Sequence, residues 1–108
     1  MDIETLIKKQ IADNSVILYM KGTPQFPQCG FSARTVEALT QVGGPFAYVN
    51  ILENPEIRST LPRIANWPTF PQLWVKGELV GGSDIILEMF EKGELQTLIK
   101  QAAQDANA

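Results

Sequence analysis

Cys29 is the only cysteine in this chain of 108 residues, and there is no histidine. A single thiol excludes an internal disulfide. Without histidine the chain cannot assemble a conventional closed metal site on its own. What remains is a reactive or ligating sulfur. The thiolate is the form that attacks and ligates, and a helix amino terminus or a nearby cation favours it. Cys29 stands just before Phe31, Ala33, Val36, Ala38 and Leu39, whose spacing predicts a helix ending near Gly43-Gly44. The sulfur would therefore meet the positive end of the helix dipole and unpaired backbone N–H groups. Lys21 is a candidate cation across the preceding loop, and Gly30 adds no side chain to crowd the thiol. The alternative is that Cys29 is a small buried hydrophobe, since free cysteine is among the most buried residue types. The loop before it, polar and broken by Gly22, Pro24 and Pro27, does not read as core.

Two other segments carry binding chemistry. In Trp67-Pro68-Thr69-Phe70-Pro71, two prolines sit just before a strand. A cis peptide at Pro71 would leave the backbone N–H and C=O of Phe70 free to pair with an extended peptide, whereas trans prolines in an ordinary turn are what base frequencies favour. In Gly81-Gly82-Ser83-Asp84, the glycines let the backbone approach a ligand, and the following helix start offers N–H groups to a carboxylate. Ser83 adds a hydroxyl and Asp84 can meet an ammonium. A plain strand-to-helix turn with an amino-terminal cap explains the same residues equally well.

These segments need elements to position them. Ile3, Leu6, Ile7 and Ile11 recur at helical spacing behind the capping residue Asp2, predicting a helix over 3–12. Val16 to Met20 is a continuous apolar run, as expected of a central strand covered on both faces. A second strand is predicted over Phe46–Ile51, joined to the first by a right-handed parallel crossover through the Cys29 helix. Pro55 opens a helix through Ile57 and Leu61, with an interruption or shift expected at Pro62. Gln72–Val75 and Glu78–Val80 form a hairpin around Lys76-Gly77. Ile85, Ile86, Met89 and Phe90 belong to a helix that Gly93 separates from a last one through Leu95, Leu98 and Ile99. Fraying is expected over about 101–108. The order predicts a single α/β domain over 1–108, a four-stranded mixed sheet flanked by helices on both faces.

Composition narrows the partners. Nine basic against twelve acidic residues give a net charge of -3 with no basic stripe, so nucleic acid is not expected to bind. Val16–Met20, the longest apolar stretch, is far too short to cross a bilayer, and Met1-Asp2-Ile3-Glu4 lacks the basic region of a secretory signal. No membrane association is expected, and the expected compartment is the cytoplasm.

Lys21-Gly22-Thr23-Pro24, Cys29-Gly30-Phe31-Ser32, Trp67-Pro68-Thr69-Phe70-Pro71-Gln72 and Gly81-Gly82-Ser83-Asp84, in this order and spacing, closely resemble the monothiol glutaredoxins with a Cys-Gly-Phe-Ser site. The likeness extends from the first helix to near residue 100. It implies a thioredoxin-like fold, a glutathione site beside Cys29, and a homodimer sharing one 2Fe-2S cluster. By the same resemblance, Lys21 and Arg58 would bind the glycine-end carboxylate of glutathione. The backbone of Phe70 before cis-Pro71 would pair with its cysteine, and Ser83 and Asp84 would take the γ-glutamyl end. From its residue type alone, Arg58 reads as a solvated surface cation. Phe31 and Trp67 read as packing residues that could also exclude water from a cluster or meet a partner. A 2Fe-2S centre generally needs four thiolates, and each subunit supplies one, so two subunits and two glutathiones would complete the set. The implied function is transfer of the cluster from assembly machinery to acceptor proteins, with a BolA-like regulator as a further partner. The alternative is a glutathione-dependent oxidoreductase acting through Cys29. Ser32 stands where dithiol relatives carry a second thiol, and Ser83 where some relatives carry another cysteine, so glutathione would have to serve as the resolving thiol.

Overall fold

The structure is a computed structural model, and it describes residues 2–106. The chain runs α1 (Ile3–Asp13), β1 (Val16–Met20), α2 (Gly30–Val42), β2 (Ala47–Asn50), α3 (Pro55–Ala65), β3 (Gln72–Val75), β4 (Glu78–Gly81), α4 (Ser83–Glu91) and α5 (Glu94–Ala106). The strands form one sheet in the order β2-β1-β3-β4. β1 pairs parallel with β2, from Ile17 opposite Ala47 to Met20 opposite Asn50, and antiparallel with β3, from Val16 opposite Val75 to Tyr19 opposite Gln72. β3 and β4 form the expected hairpin, with Lys76 at φ 53° and Gly77 at φ 81°. Two successive positive φ values are what a two-residue turn needs to match the twist of its strands.

β1 is apolar throughout because both its faces are covered, as the sequence predicts. Val16, Leu18 and Met20 project into one cluster with Val36, Ala38 and Leu39 of α2, Ile86 of α4, and Leu95, Ile99 and Ala102 of α5. Ile17 and Tyr19 project into the other, against Ile7 and Ile11 of α1 and Ile57 and Leu61 of α3. The fully buried Tyr19 keeps its hydroxyl satisfied by donating to Gln10 Oε1 at 2.9 Å. The mixed sheet with helices on both faces is thus as expected. No described helix is long and apolar enough to cross a membrane.

Four local expectations are corrected. α3 is not interrupted at Pro62. The ring removes only the N–H that would reach back toward Arg58, while burial of Ile57 and Leu61 holds the helix to the sheet on both sides of the gap. The helix ends instead at Asn66, whose φ of 51° is left-handed. α5 does not fray at 101: it continues to Ala106 because Ala102, completely buried, adds another contact with the core. Asn107 and Ala108 lie outside the described residues. β2 is shorter than the apolar run from Phe46 to Ile51, although Ile51 is still fully buried. Phe31 is not on the core face of α2 but 55% exposed.

Candidate functional site

The segment between β1 and α2 folds back on itself. The Gln28 N–H donates to the Lys21 carbonyl at 2.9 Å, and Thr23 and Phe26 exchange backbone bonds of 3.3 and 3.0 Å. Gly22 makes this closure feasible. Its φ is 94°, and a Cβ there would lie 2.5 Å from the Phe26 carbonyl oxygen, so any side chain would displace the loop. The fold-back leaves Phe26 74% exposed and returns the chain to Lys21 just as Cys29 begins α2.

Cys29 occupies the N-cap of α2 in extended conformation, its carbonyl accepting from the Ala33 N–H at 2.9 Å. Its sulfur closes no full capping hydrogen bond, yet the thiol is held below the ordinary range. The nearby Ser32 backbone N–H is the main cause, opposed by partial burial and reinforced by the Phe31 N–H, the Lys21 charge and the Ser32 hydroxyl. The residue is partly exposed, and nothing lies within 4 Å of where a Gly30 side chain would begin. The reactive reading of Cys29 thus matches its environment better than the buried one. Ser32 is completely buried, its Oγ accepting the Lys21 N–H at 3.2 Å. It ties the Lys21 backbone to the helix that carries the thiol.

The opposite wall comes from the Trp67–Pro71 segment, where the Phe70-Pro71 peptide is cis. Gln72, fully buried, holds this segment: its Nε2 donates to the Trp67 carbonyl at 3.0 Å and the Thr69 carbonyl at 3.3 Å, and its Oε1 accepts from Trp74 Nε1 at 3.2 Å. Beside it begins α4, with Gly82 as N-cap and no side-chain cap on the helix. A Cβ on Gly82 would lie 3.4 Å from the Pro71 carbonyl oxygen and 3.5 Å from Trp67 Nε1, ordinary van der Waals contact, so the turn into α4 lies close against the Trp67–Pro71 wall. Ser83 is buried and Asp84 exposed.

Between these walls lies a groove of about 750 Å³. It gathers every residue singled out by type or resemblance: Cys29, Lys21, Arg58, Phe70, Pro71, Ser83 and Asp84 all line it. Arg58 arrives from a helix on one face of the sheet, and Ser83 and Asp84 from a helix on the other. Among the described residues Lys9 pairs with Asp13 and Lys92 with Glu88, both exposed, whereas neither Lys21 nor Arg58 is paired with a carboxylate. Lys21 and Arg58, neither neutralised by a carboxylate, and Asp84 beside the N–H groups that open α4 give the groove charge of both signs, which suits a zwitterionic peptide. Trp67 and Phe31 also line the groove, which gives Phe31 a reason for being exposed.

Sequence reasoning missed Pro62 and Ile85 in the lining and the structural part played by Gln72. The one signal available was Pro62, a proline inside a helical pattern. Among the described residues no group of three or more histidine, cysteine, aspartate or glutamate side chains could hold a metal ion. A metal group at Cys29 would need donors from outside the chain.

Comparison with known proteins agrees with the geometry. The family model described as Glutaredoxin matches residues 16–80. Glutaredoxin 4 of Haemophilus ducreyi is 69% identical over 97 residues, covering 90% of this chain and 91% of that protein. Among solved structures, reduced apo GrxS14 of poplar superposes with a TM-score of 0.80 at 46% identity, covering 94% of this chain and 93% of that one. The holo form of glutaredoxin C1 from a poplar hybrid does so with a TM-score of 0.81 at 26% identity, covering 92% and 87%. With its single thiol in a Cys-Gly-Phe-Ser sequence at the head of α2, the chain belongs to the glutaredoxin family as a monothiol member.

Proposed function

We propose that this monothiol glutaredoxin binds glutathione in the groove and, as a homodimer, holds a 2Fe-2S cluster as cargo for transfer to acceptor proteins in the cytoplasm. The observation that carries the proposal is the Cys29 thiol itself: lowered in pKa, partly exposed, unwalled at Gly30, and without a second thiol in the chain. A 2Fe-2S cluster needs four thiolate ligands. Cys29 from each of two subunits and the thiolates of two groove-bound glutathiones make that number. The Cys-Gly-Phe-Ser resemblance supports the same stoichiometry, and the holo form known for glutaredoxin C1 is in keeping with it.

In this reading Lys21 and Arg58 grip the glycine-end carboxylate, the Phe70 backbone pairs with the cysteine residue of glutathione, and Ser83 with the α4 N–H groups and Asp84 holds the γ-glutamyl end. The glutathione sulfur then comes to rest beside Cys29. Transfer is ligand exchange: incoming acceptor thiolates replace Cys29 and glutathione on iron, with no change in oxidation state. Two of the four ligands are small exchangeable molecules, which favours release over permanent retention. Iron–sulfur assembly proteins as donors, apoproteins as acceptors and a BolA-like regulator are the partners this role calls for.

The lowered thiol also fits a second reading, a glutathione-dependent oxidoreductase. The Cys29 thiolate would attack the glutathione sulfur of a mixed disulfide, expelling the substrate thiolate and forming a Cys29–glutathione disulfide. A second glutathione thiolate would then attack that disulfide, yielding oxidised glutathione and restoring the Cys29 thiolate.

Anaerobic reconstitution with iron, sulfide and glutathione tests the first reading. The wild type is expected to gain visible cluster absorption and become a dimer, while Cys29→Ser, or omission of glutathione, gives neither. A colourless monomeric wild type overturns it, and rapid deglutathionylation by that same protein would establish the second.

A further inference from the structure

Asn50 ends β2, and its side chain and carbonyl join the two segments that deliver the groove's cations. Its Oδ1 accepts the Gly22 N–H at 2.9 Å, one residue beyond Lys21, and the Leu52 N–H at 3.0 Å. Its carbonyl accepts from Asn54 Nδ2 at 2.8 Å and from the Glu53 N–H at 3.2 Å. Asn54 is the N-cap of α3, and its carbonyl accepts the Arg58 N–H at 3.0 Å. Asparagine is among the best capping side chains, yet Asn54 makes no side-chain cap on its own helix. Its amide is committed to Asn50 instead. A hydrogen-bonded bracket therefore runs from the Lys21 loop through Asn50 and Asn54 to the first turn of the Arg58 helix, and neither asparagine lines the groove.

We infer that Asn50 is a positioning residue that fixes the spacing of Lys21 and Arg58, and so sets the groove's selectivity for a ligand carrying a free carboxylate at that end. The inference rests on the glutathione reading above. Two flexible cations recognise one carboxylate well only when their backbones are held at the right separation, because each misplaced long side chain loses the directional part of a charge-assisted hydrogen bond. Ser32 fixes the Lys21 backbone from the other side by accepting its N–H. Removing the Asn50 amide leaves that tie and the Ile51 N–H bond to the Met20 carbonyl intact, and releases the Gly22 N–H, the bracket's hold on the residue next to Lys21.

The test is calorimetric titration of the folded chain with reduced glutathione and with glutathione amidated at its glycine carboxylate. The wild type is expected to prefer the free carboxylate by about tenfold, the scale of one hydrogen bond to a charged group. In Asn50→Ala this preference is expected to fall about fivefold through weaker binding of glutathione, with binding of the amide unchanged. In a Lys21→Ala background the same substitution should have almost no further effect, since interacting residues are not additive. A general loss of stability would weaken both ligands alike and would not cancel in the double variant. Should Asn50→Ala fail to fold, Asn54→Ala, which cuts the bracket at an exposed side chain, is expected to reduce the preference in the same direction. Full preference in whichever variant folds overturns the inference. A wild type that binds neither ligand overturns the glutathione reading as a whole. One that binds both equally removes Lys21 and Arg58 from carboxylate recognition, and the bracket's role with them.

Discussion

The two faces of the sheet build their halves of the groove from different materials. On the face covered by α2, α4 and α5, two helix starts bring main-chain N–H groups beside the side chains of Cys29, Phe31, Ser83 and Asp84: the first turn of α2, and the start of α4 after Gly82, a cap with no side chain. On the face covered by α1 and α3, the groove is lined by side chains, with Arg58 and Pro62 from α3 and Trp67 just beyond its end. Backbone N–H groups cannot be mutated away, and they move only if the helix moves. Arg58 can be lost to a single substitution without consequence for the fold. The comparison teaches that acidity of the thiol should be robust, whereas selectivity for the ligand's ends should be easily altered.

The largest effect should come from the core beneath the first of these faces. Leu39 is almost fully buried beneath α2, and Leu39→Ala is expected to cost about 2–5 kcal/mol through lost burial and a cavity. Denaturant unfolding followed by both circular dichroism and tryptophan fluorescence should show one transition shifted as a whole. Two separated transitions would mean that the faces are independent units. Next is Gly22→Ala, whose positive φ and close contact with the Phe26 carbonyl predict a loss of about 1–3 kcal/mol. Because the displaced loop carries Lys21, the pH curve for alkylation of Cys29 should also move toward that of an ordinary thiol. An unmoved curve would show the fold-back to be irrelevant to the sulfur.

Arg58→Ala tests the side-chain half alone. Glutathione affinity is expected to fall about tenfold, the usual scale for one charge-assisted contact, with the alkylation curve unchanged. A shift of both would erase the distinction between the faces. The smallest effect is assigned to Lys21→Ala on thiol acidity. Because Ser32 N–H is the main cause of the lowered pKa and Lys21 a lesser one, the alkylation midpoint should rise yet stay below that of a free thiol. The sign carries over to folding. A thiol more acidic folded than unfolded stabilises the fold above its unfolded pKa, and that increment disappears as pH falls through the folded value. Wild-type stability relative to Cys29→Ser should therefore rise with pH over this window, by a small amount since the sulfur is partly solvated.

Much of this organisation could be read from the residues because it follows short-range rules. The unbroken apolar run of β1, Gly43 at the end of α2, Lys76-Gly77 in the hairpin and Cys29 at the head of a helix each declare themselves through period, punctuation or capping. What could not be read depends on contacts between distant segments. Pro62 looked like a break because its cost is local, whereas the burial of Ile57 and Leu61 that outweighs it is tertiary. Phe31 looked like core because an aromatic in an apolar helix usually is, and only the groove explains its exposure. Ala102 gave no hint that its small side chain would reach the core. Asn50 and Gln72 are ordinary polar letters, and their importance lies wholly in the hydrogen bonds they make to other loops.

The solitary sulfur has a further consequence under oxidative stress. Peroxide converts an accessible thiolate to a sulfenic acid, and proteins with a neighbouring thiol protect themselves by condensing the two before the oxidation becomes irreversible. This chain has no such neighbour. Its escape from sulfinic acid depends on a small thiol arriving from solution, so the survival of Cys29 is tied to the cell's pool of reduced low-molecular-weight thiols rather than to anything the polypeptide holds in reserve.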